Sequence, residues 1–237
     1  MKLGSRADRY FIIGTDTGVG KTVLSLMMMQ LFYERGYSPF YLKPFQTGCR
    51  DPYDEDSDAR FVYQNVGALS GKDPADSVIY CFGNPKAPYF AARDEGKEKN
   101  IDIGVIQDRV NKKTQFFNPV IIEGAGGLLV PVDENTLMID LIELTASKPI
   151  IAARAGLGTI NHTLLTLEAL NRRGLEPLGI VFMDAGETPT PWDMISENIE
   201  AVEKASGVKV SGVIGRIEDF SCPKGACYRP IERMGIL

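Results

Sequence analysis

One histidine, one tryptophan and four cysteines are all that 237 residues contain of those types. With His162 alone and cysteines at 49, 81, 222 and 227 in no framework spacing, neither a zinc site nor a disulfide scaffold is expected. Positive charge is also scarce: 26 Lys and Arg against 31 Asp and Glu leave a net charge of −5. No basic field is therefore available for nucleic acid or an anionic membrane surface. Apolar runs stay well short of the roughly 20 residues that span a bilayer. Residues 1–9 are polar and lack the apolar stretch of a secretory leader. No Ser/Pro/Gly-rich linker and no internal repeat divides the chain. These absences predict a reduced, cytoplasmic, globular protein that binds neither nucleic acid nor membrane.

What is present is ordinary soluble composition, 44% hydrophobic and 24% charged. At 26.0 kDa a fold buries roughly 72% of the unfolded chain's surface, enough for one core without metal or disulfide staples. Short apolar runs at 10–14, 40–45, 120–122, 150–153 and 178–182 read as strands. Helical segments are expected at 21–35, stopped by Gly36, and at 101–117 and 137–146. A further helix runs to Arg173 with Asn161 as its cap, and another starts at Thr190, Pro191 and Asp193 and ends before Gly207. Strands apolar along their whole length and alternating with helices predict α/β architecture: one doubly wound, mostly parallel sheet with helices on both faces, over residues 1–237. Residues 220–237 show no period and are left unplaced.

The strongest local signal is Gly14-Thr15-Asp16-Thr17-Gly18-Val19-Gly20-Lys21-Thr22, between a strand and a helix, the context of a phosphate loop. There, backbone N–H groups surround phosphates, Lys21 reaches the β- and γ-phosphates, and the Thr22 hydroxyl binds Mg²⁺. The usual first glycine is Thr15 here, with Gly14 one residue early; a glycine-rich turn of a flavodoxin-like fold is the bland alternative. Glu123 ends an apolar strand, where a metal-facing acid belongs, and Gly124, Ala125, Gly126 and Gly127 after it let backbone approach a ligand. An exposed Glu before a plain glycine turn is its alternative. Asp51, Asp54, Glu55, Asp56 and Asp58 fail as a calcium loop because Ala59 and Asn65 replace the required Gly and Glu. On spacing they are either metal-binding or a solvated loop that caps the next helix. Lys43, at the end of the second strand, holds a second anion or snorkels at the surface. Cys222 and Cys227 are a redox or metal pair, or simply free thiols. His162 reads as a packed or capping residue, and no Ser/His/Asp set assembles.

Taken in order, G-T-D-T-G-V-G-K-T (14–22), L-K-P (42–44) with Thr47-Gly48, D-S-D-A (56–59), I-E-G-A-G-G (122–127) and G-L-G-T-I-N-H (156–162) resemble dethiobiotin synthetase. The set covers most of residues 10–215. The resemblance implies a P-loop NTPase-like fold and a Mg²⁺- and ATP-dependent ligase of biotin biosynthesis. Its reaction closes the ureido ring of dethiobiotin from 7,8-diaminononanoate and CO₂. It also implies that Gly18, Val19, Gly20, Lys21, Thr22 and Val23 bind the triphosphate, and that Thr22, Asp58 and Glu123 bind Mg²⁺. Lys43 is then catalytic with Lys21, Gly124 to Gly126 line the γ-phosphate, and Thr47 touches substrate. Gly156, Leu157, Gly158, Thr159 and Asn161 would hold the diamine's carboxylate across a homodimer interface. Departures fall where the family places the nucleotide base. An Asn-Asp pair is Met183-Asp184 here, and G-x-I-P reads Gly212-Val213-Ile214-Gly215, followed by Arg216 and Ile217.

Two rival readings share the loop. A partition- or positioning-type ATPase, a dimer switch, carries a second lysine early in the loop where this chain has Asp16. An amidating ligase of the cobyrinic acid type needs a glutaminase domain, for which the chain is too short.

Overall fold

The computed structural model describes residues 8–221, 223 and 225–237. Among them, seven strands form one sheet: β1 Arg9–Gly14, β2 Phe40–Thr47, β3 Val78–Phe82, β4 Val120–Gly127, β5 Lys148–Arg154, β6 Ile180–Asp184 and β7 Val210–Gly215. Their order is β3-β2-β4-β1-β5-β6-β7, and every neighbouring pair is parallel. The α-helices are α1 Lys21–Glu34, α2 Asp58–Asn65, α3 Pro88–Asp94, α4 Ile103–Lys113, α5 Asp140–Leu144, α6 Thr159–Asn171, α7 Trp192–Ser206 and α8 Arg229–Glu232. Strand order reverses at β1, so the loop leaving its carboxyl end opens where α/β sheets take ligands.

Both faces of the sheet are covered. Tyr10 and Ile12 of β1 pack with the α1 side chains, whereas Phe11 and Ile13 join the core on the opposite face. This is why successive strand residues are apolar instead of alternating.

Helix α1 is unusual in having almost no polar side. Leu24, Leu26, Met27, Met28, Met29, Leu31 and Phe32 are all buried, and a helix apolar all round must be covered all round. The sheet covers one side; α2 and the C-terminal segment cover the rest. Phe61 of α2 meets Phe220 edge to face at 5.0 Å. The Tyr228 hydroxyl lies within reach of both Gln30 Oε1 and Glu34 Oε1, donating to one of them at a time, and Arg35 pairs with Glu232. The buried Gln30 amide donates to the carbonyls of Asn65 at 2.8 Å and Phe220 at 2.7 Å, tying three elements at one point.

Several boundaries differ from expectation. The 101–117 helix is only Ile103–Lys113, and the 137–146 helix only Asp140–Leu144, because Leu137 pairs as an antiparallel bridge with Pro131. The cap of α6 is Gly158, in a left-handed conformation at φ 89°, and Asn161 is the third helical residue. β3, β7 and α3 were not anticipated as elements, and α2 only as the unbounded helix after the acidic loop. Ser57 caps α2 by accepting from the Arg60 N–H, as the helix-capping alternative for the acidic loop requires. The unplaced C-terminal stretch contains a 3₁₀ turn, Gly225–Tyr228, and α8, with Pro230 seated on Gly212. Of the terminal cysteine pair, Cys222 lies outside the described residues, and Cys227 is a free thiol.

Replacing Gln30 with leucine leaves the Asn65 and Phe220 carbonyls without that donor. The expected cost is about 1–3 kcal/mol, read by urea unfolding, with earlier proteolytic release of the C-terminal segment. Unchanged proteolysis would mean that the amide does not hold that segment.

Candidate active site

The phosphate-loop sequence runs from the end of β1 into α1. Gly20 adopts φ 96° and Gly18 φ 69°, conformations that favour glycine. A Cβ on Gly14 would stand 2.7 Å from the Asp16 carbonyl oxygen and 2.8 Å from both Val19 Cγ2 and Lys21 Nζ. The glycine displaced by one position is thus the one the turn needs. Lys21 Nζ donates to the Asp16 carbonyl at 2.9 Å. Asp16 itself points outward, takes the Thr17 N–H, and pairs with Arg154 at 3.4 Å.

Around this loop, α1, β2, α2 and β4 each contribute one group to a single cluster. Lys43 Nζ lies 2.6 Å from Asp58 Oδ2 and 2.7 Å from Glu123 Oε1, with the Gly124 carbonyl at 3.4 Å. The Thr22 hydroxyl is 2.9 Å from Asp58 Oδ1 and 2.8 Å from Glu123 Oε1; its single proton serves one of them at a time. Strand periodicity explains the convergence. Tyr41 and Lys43 share a face of β2, and the register Tyr41 to Ile121 and Leu42 to Ile122 brings Glu123 onto the same face of β4.

Electrostatics follow from burial and pairing. Burial opposes the Lys43 ammonium, but Asp58 and then Glu123 outweigh it and hold its pKa above the usual lysine range. Burial opposes ionised Asp58 as well, and Lys43 keeps its carboxyl below the usual range. Lys21 is pulled down to about 8, by burial first and then by the neighbouring Lys43 charge.

Two participants were missed. Tyr41, fully buried, donates to Glu123 Oε2 at 2.8 Å, and Gln46 Oε1 accepts the Asp58 N–H at 3.1 Å. Tyr41 stands two residues before Lys43, and that spacing was the available signal. Asp58 joins the cluster, whereas Asp54 turns to Arg50 and Asp51 takes the Tyr53 N–H. Gly124 has a different reason from the one expected: a Cβ there would meet Phe11 at 3.1 Å and Met138 at 3.3 Å, so packing behind the sheet requires it. Thr47 ends β2 opposite Phe82 of β3, on the face away from Gln46 and Lys43, both of which reach Asp58. Gly156 to Asn161 leaves β5 beside an open cleft of about 390 Å³ lined by Thr15, Asp16, Leu129, His162 and Leu165. His162 is exposed there, not packed. Met183 is buried against the loop, its Cγ and Cε about 3.0 Å from where a Gly20 Cβ would be. The Asp184 carboxylate is occupied by the N–H and hydroxyl of Thr190. Gly215 and Arg216 are exposed, with Ile217 partly buried, where β7 ends.

A family profile described as an AAA domain matches residues 8–224. Among curated proteins, an ATP-dependent dethiobiotin synthetase of Anaeromyxobacter sp. (strain Fw109-5) is 35% identical over 212 residues, covering 89% of this chain and 91% of that protein. One from Aquifex aeolicus is 35% identical over 220 residues, 91% of this chain and 92% of its own. One from Methanococcus vannielii is 31% identical over 213 residues, 89% and 94% respectively. Among solved structures, the MinC:MinD cell division complex of Aquifex aeolicus superposes with TM-score 0.60 at 14% identity, covering 97% of this chain and 95% of that one. The McdA–ATP complex of Cyanothece reaches 0.58 at 13%, covering 98% and 96%. These two likenesses are of fold alone.

The depressed Lys21 pKa fixes a sign. Its charged form is disfavoured in the folded chain, so this group destabilises at pH 7, and the penalty fades as pH rises from about 8 towards 10.5. Lys21→Met should raise stability at pH 7 by about 1–3 kcal/mol, and the gap to the parent should narrow across that window. Denaturant unfolding at pH 7, 8.5 and 10 reads this; a pH-independent gap would refute it.

Proposed function

The chain belongs to the dethiobiotin synthetase family, and on that footing we propose how its residues divide the work of the reaction. The enzyme carboxylates 7,8-diaminononanoate with CO₂ at the expense of ATP and closes the ureido ring, releasing ADP and phosphate. One observation carries the assignment: Lys43, Asp58, Glu123 and Thr22 meet beside the phosphate loop, drawn from four separate elements.

An amine nitrogen of the diamine attacks CO₂ and loses a proton, giving a carbamate. A carbamate oxygen then attacks the γ-phosphorus as the bond to ADP breaks. The second amine attacks the carbonyl carbon of that mixed anhydride, and phosphate leaves. Negative charge thus collects on carbamate and phosphoryl oxygens, so fixed cations are what the protein must supply. Backbone N–H groups of Gly18, Val19, Gly20, Thr22 and Val23, with Lys21, hold the triphosphate. Lys43, kept protonated by its two carboxylates, takes the carbamate and the transferring phosphoryl group, and Thr47, at the end of the same strand, orients the diamine. Tyr41 is a positioning residue that fixes Glu123.

Thr22, Asp58 and Glu123 offer a hydroxyl and two carboxylates, the hard oxygen donors Mg²⁺ prefers when phosphates complete its shell. The ion would neutralise the phosphate oxygens at the reacting centre. Gly124, Ala125 and Gly126 flank the γ-phosphate position. The diamine's carboxylate goes to Gly156, Leu157, Gly158, Thr159 and Asn161 at the start of α6, where helix N–H groups suit an anion. Leu129 and Leu165 are exposed on the lining of that cleft, and Leu157 is exposed in the turn before α6, which supports a homodimer in which each copy completes the other's site. Among the described residues no helix is long and apolar enough to cross a membrane, in keeping with a cytoplasmic enzyme. A partition-type switch is less well supported, because Asp16 occupies the second-lysine position and pairs with Arg154 of its own chain.

The base would lie near Met183, Asp184, Gly215, Arg216 and Ile217. With a thioether at 183 and Asp184 engaged by Thr190, no side-chain amide reads the adenine edge there.

Phosphate release that depends on both diamine and bicarbonate tests the activity. Asp58→Asn and Glu123→Gln should each raise the Mg²⁺ requirement sharply, Asp54→Asn and Glu55→Gln should not, and Lys43→Ala should lose on the order of 10²–10³ in kcat. Near-normal turnover in Lys43→Ala would remove it from the mechanism. Base selectivity is tested separately by kcat/KM for ATP, CTP, GTP and UTP in the parent and in Met183→Asn. The asparagine is expected to add about 5- to 150-fold to ATP preference. A parent already selective for ATP by more than about 100-fold, unchanged by the substitution, would make Met183 packing alone.

A further inference from the structure

Cys49 and Cys81 lie outside the chemistry assigned above. In the β2–β3 pair, Gln46 stands opposite Cys81 and Thr47 opposite Phe82. Gly48, at φ 85°, turns the chain while its N–H donates to the Phe82 carbonyl at 3.0 Å. That turn sets Cys49 against the neighbouring strand. The two sulfurs are 3.8 Å apart, and the Cys81 thiol also lies 3.4 Å from the Cys49 carbonyl oxygen as a donor. Both are free thiols, Cys49 buried and Cys81 partly open to solvent.

We propose that Cys49 and Cys81 form an oxidisable dithiol whose reversible disulfide restrains the segment between Thr47 and Asp58 and so slows turnover. The bond needs the sulfurs to close to about 2.05 Å. Residue 49 is the second after Thr47, and the segment it begins ends at Asp58, whose N–H is held by Gln46 of the same strand. Tension at Cys49 therefore reaches both residues. Formation of the bond does not depend on the proposed chemistry; the slowing rests on the roles given to Thr47 and Asp58.

The electron balance is simple. The Cys81 sulfur attacks a peroxide oxygen, the O–O bond breaks, and water leaves with the thiol's proton, giving a sulfenic acid. The Cys49 sulfur then attacks the Cys81 sulfur, the S–O bond breaks, and a second water carries off the hydroxyl and the Cys49 proton. Two thiols are oxidised and one peroxide is reduced to two waters. Burial pushes both thiols up, Cys81 to about 12, so little thiolate is present near neutral pH and oxidation is slow, which sets the peroxide exposure the test needs.

The test uses the full chain carrying Cys222→Ser and Cys227→Ser, so that only these two thiols remain. After hydrogen peroxide, residual thiols are alkylated, peptides are mapped by mass spectrometry, and diamine-dependent phosphate release is measured before and after. A linked 49–81 peptide is expected, two hydrogens lighter, reversed by dithiothreitol. A displacement of about 1 Å at a reacting group costs on the order of 10²-fold, so turnover should fall by at least about tenfold and recover on reduction. Adding Cys81→Ser should abolish the link and the reversible loss. Peroxide that yields only sulfinic acid or unreacted thiols overturns the proposal, as does a linked enzyme with unchanged turnover. Absence of diamine-dependent release before peroxide would instead count against the ring-closure reading, leaving the mapped bond to decide the dithiol.

Discussion

The ammonium of Lys43, buried between Asp58 and Glu123, is the constraint on which the functional end of this molecule depends. Lys21, Lys43, Asp58 and Glu123 bring two cations and two carboxylates into a region walled by apolar strands, and their formal charges cancel. Removing one of the directly paired members, Lys43, Asp58 or Glu123, typically costs about 3–5 kcal/mol, because its partner is then buried uncompensated. The compensation is built across layers: Lys21 opens α1, Lys43 lies on β2, Asp58 opens α2 and Glu123 ends the apolar run of β4. Correct packing of four elements and a charge-neutral site are therefore the same condition. The arrangement also divides the two lysines. Lys43, with carboxylates on it, is held charged, whereas Lys21, whose ammonium meets the Asp16 carbonyl of the loop, has its charged form disfavoured by burial.

The same logic extends to the helix behind the loop. A largely apolar α1 would expose apolar side chains if left uncovered, and the C-terminal segment helps to remove its outer side from water. Gln30 is its polar fixture there, satisfying two carbonyls from different parts of the chain. The end of the polypeptide is thereby coupled to the helix whose first turn carries Thr22. Tyr10 of β1 reaches the same segment through the Ile236 carbonyl.

Parallel architecture was legible because strands buried on both faces leave a continuous apolar trace, as at 120–122 and 150–153. Elements at the margins were not. β3 carries Tyr80 and Cys81 at half-covered positions, β7 has Gly212 in its middle, and neither makes a clean apolar run. α2 is announced by acids that read equally as a solvated loop. Within the site, the phosphate loop and Glu123 were visible from position alone, whereas Lys43 by itself reads as a snorkelling surface lysine and takes its role only from the resemblance. Asp58 was separable from Asp54 and Glu55 only by resemblance, since which acid faces Thr22 depends on where the Ser57 cap starts the helix. Tyr41 went unnamed because its hydroxyl partner, Glu123, lies 82 residues away.

The departure of the loop from the usual pattern has a physical reading of its own. Glycine is needed at 14, where a side chain would strike the Asp16 carbonyl, Val19 and Lys21 together. With that space cleared, the next position accepts a larger residue. Thr15 fills it, with its N–H on the Ala152 carbonyl of β5. Asp16 is then carried outward, and Arg154 at the end of the same strand β5 meets it. An exposed pair of this kind contributes little to stability, about 0–1 kcal/mol. Its consequence is geometric: it links the phosphate loop to the strand end from which the Gly156 turn departs. In a loop with a second lysine at this position, a cation would project where this chain presents a neutralised acid. The sequence difference at one residue thus separates a loop tied to its own sheet from one built to reach elsewhere.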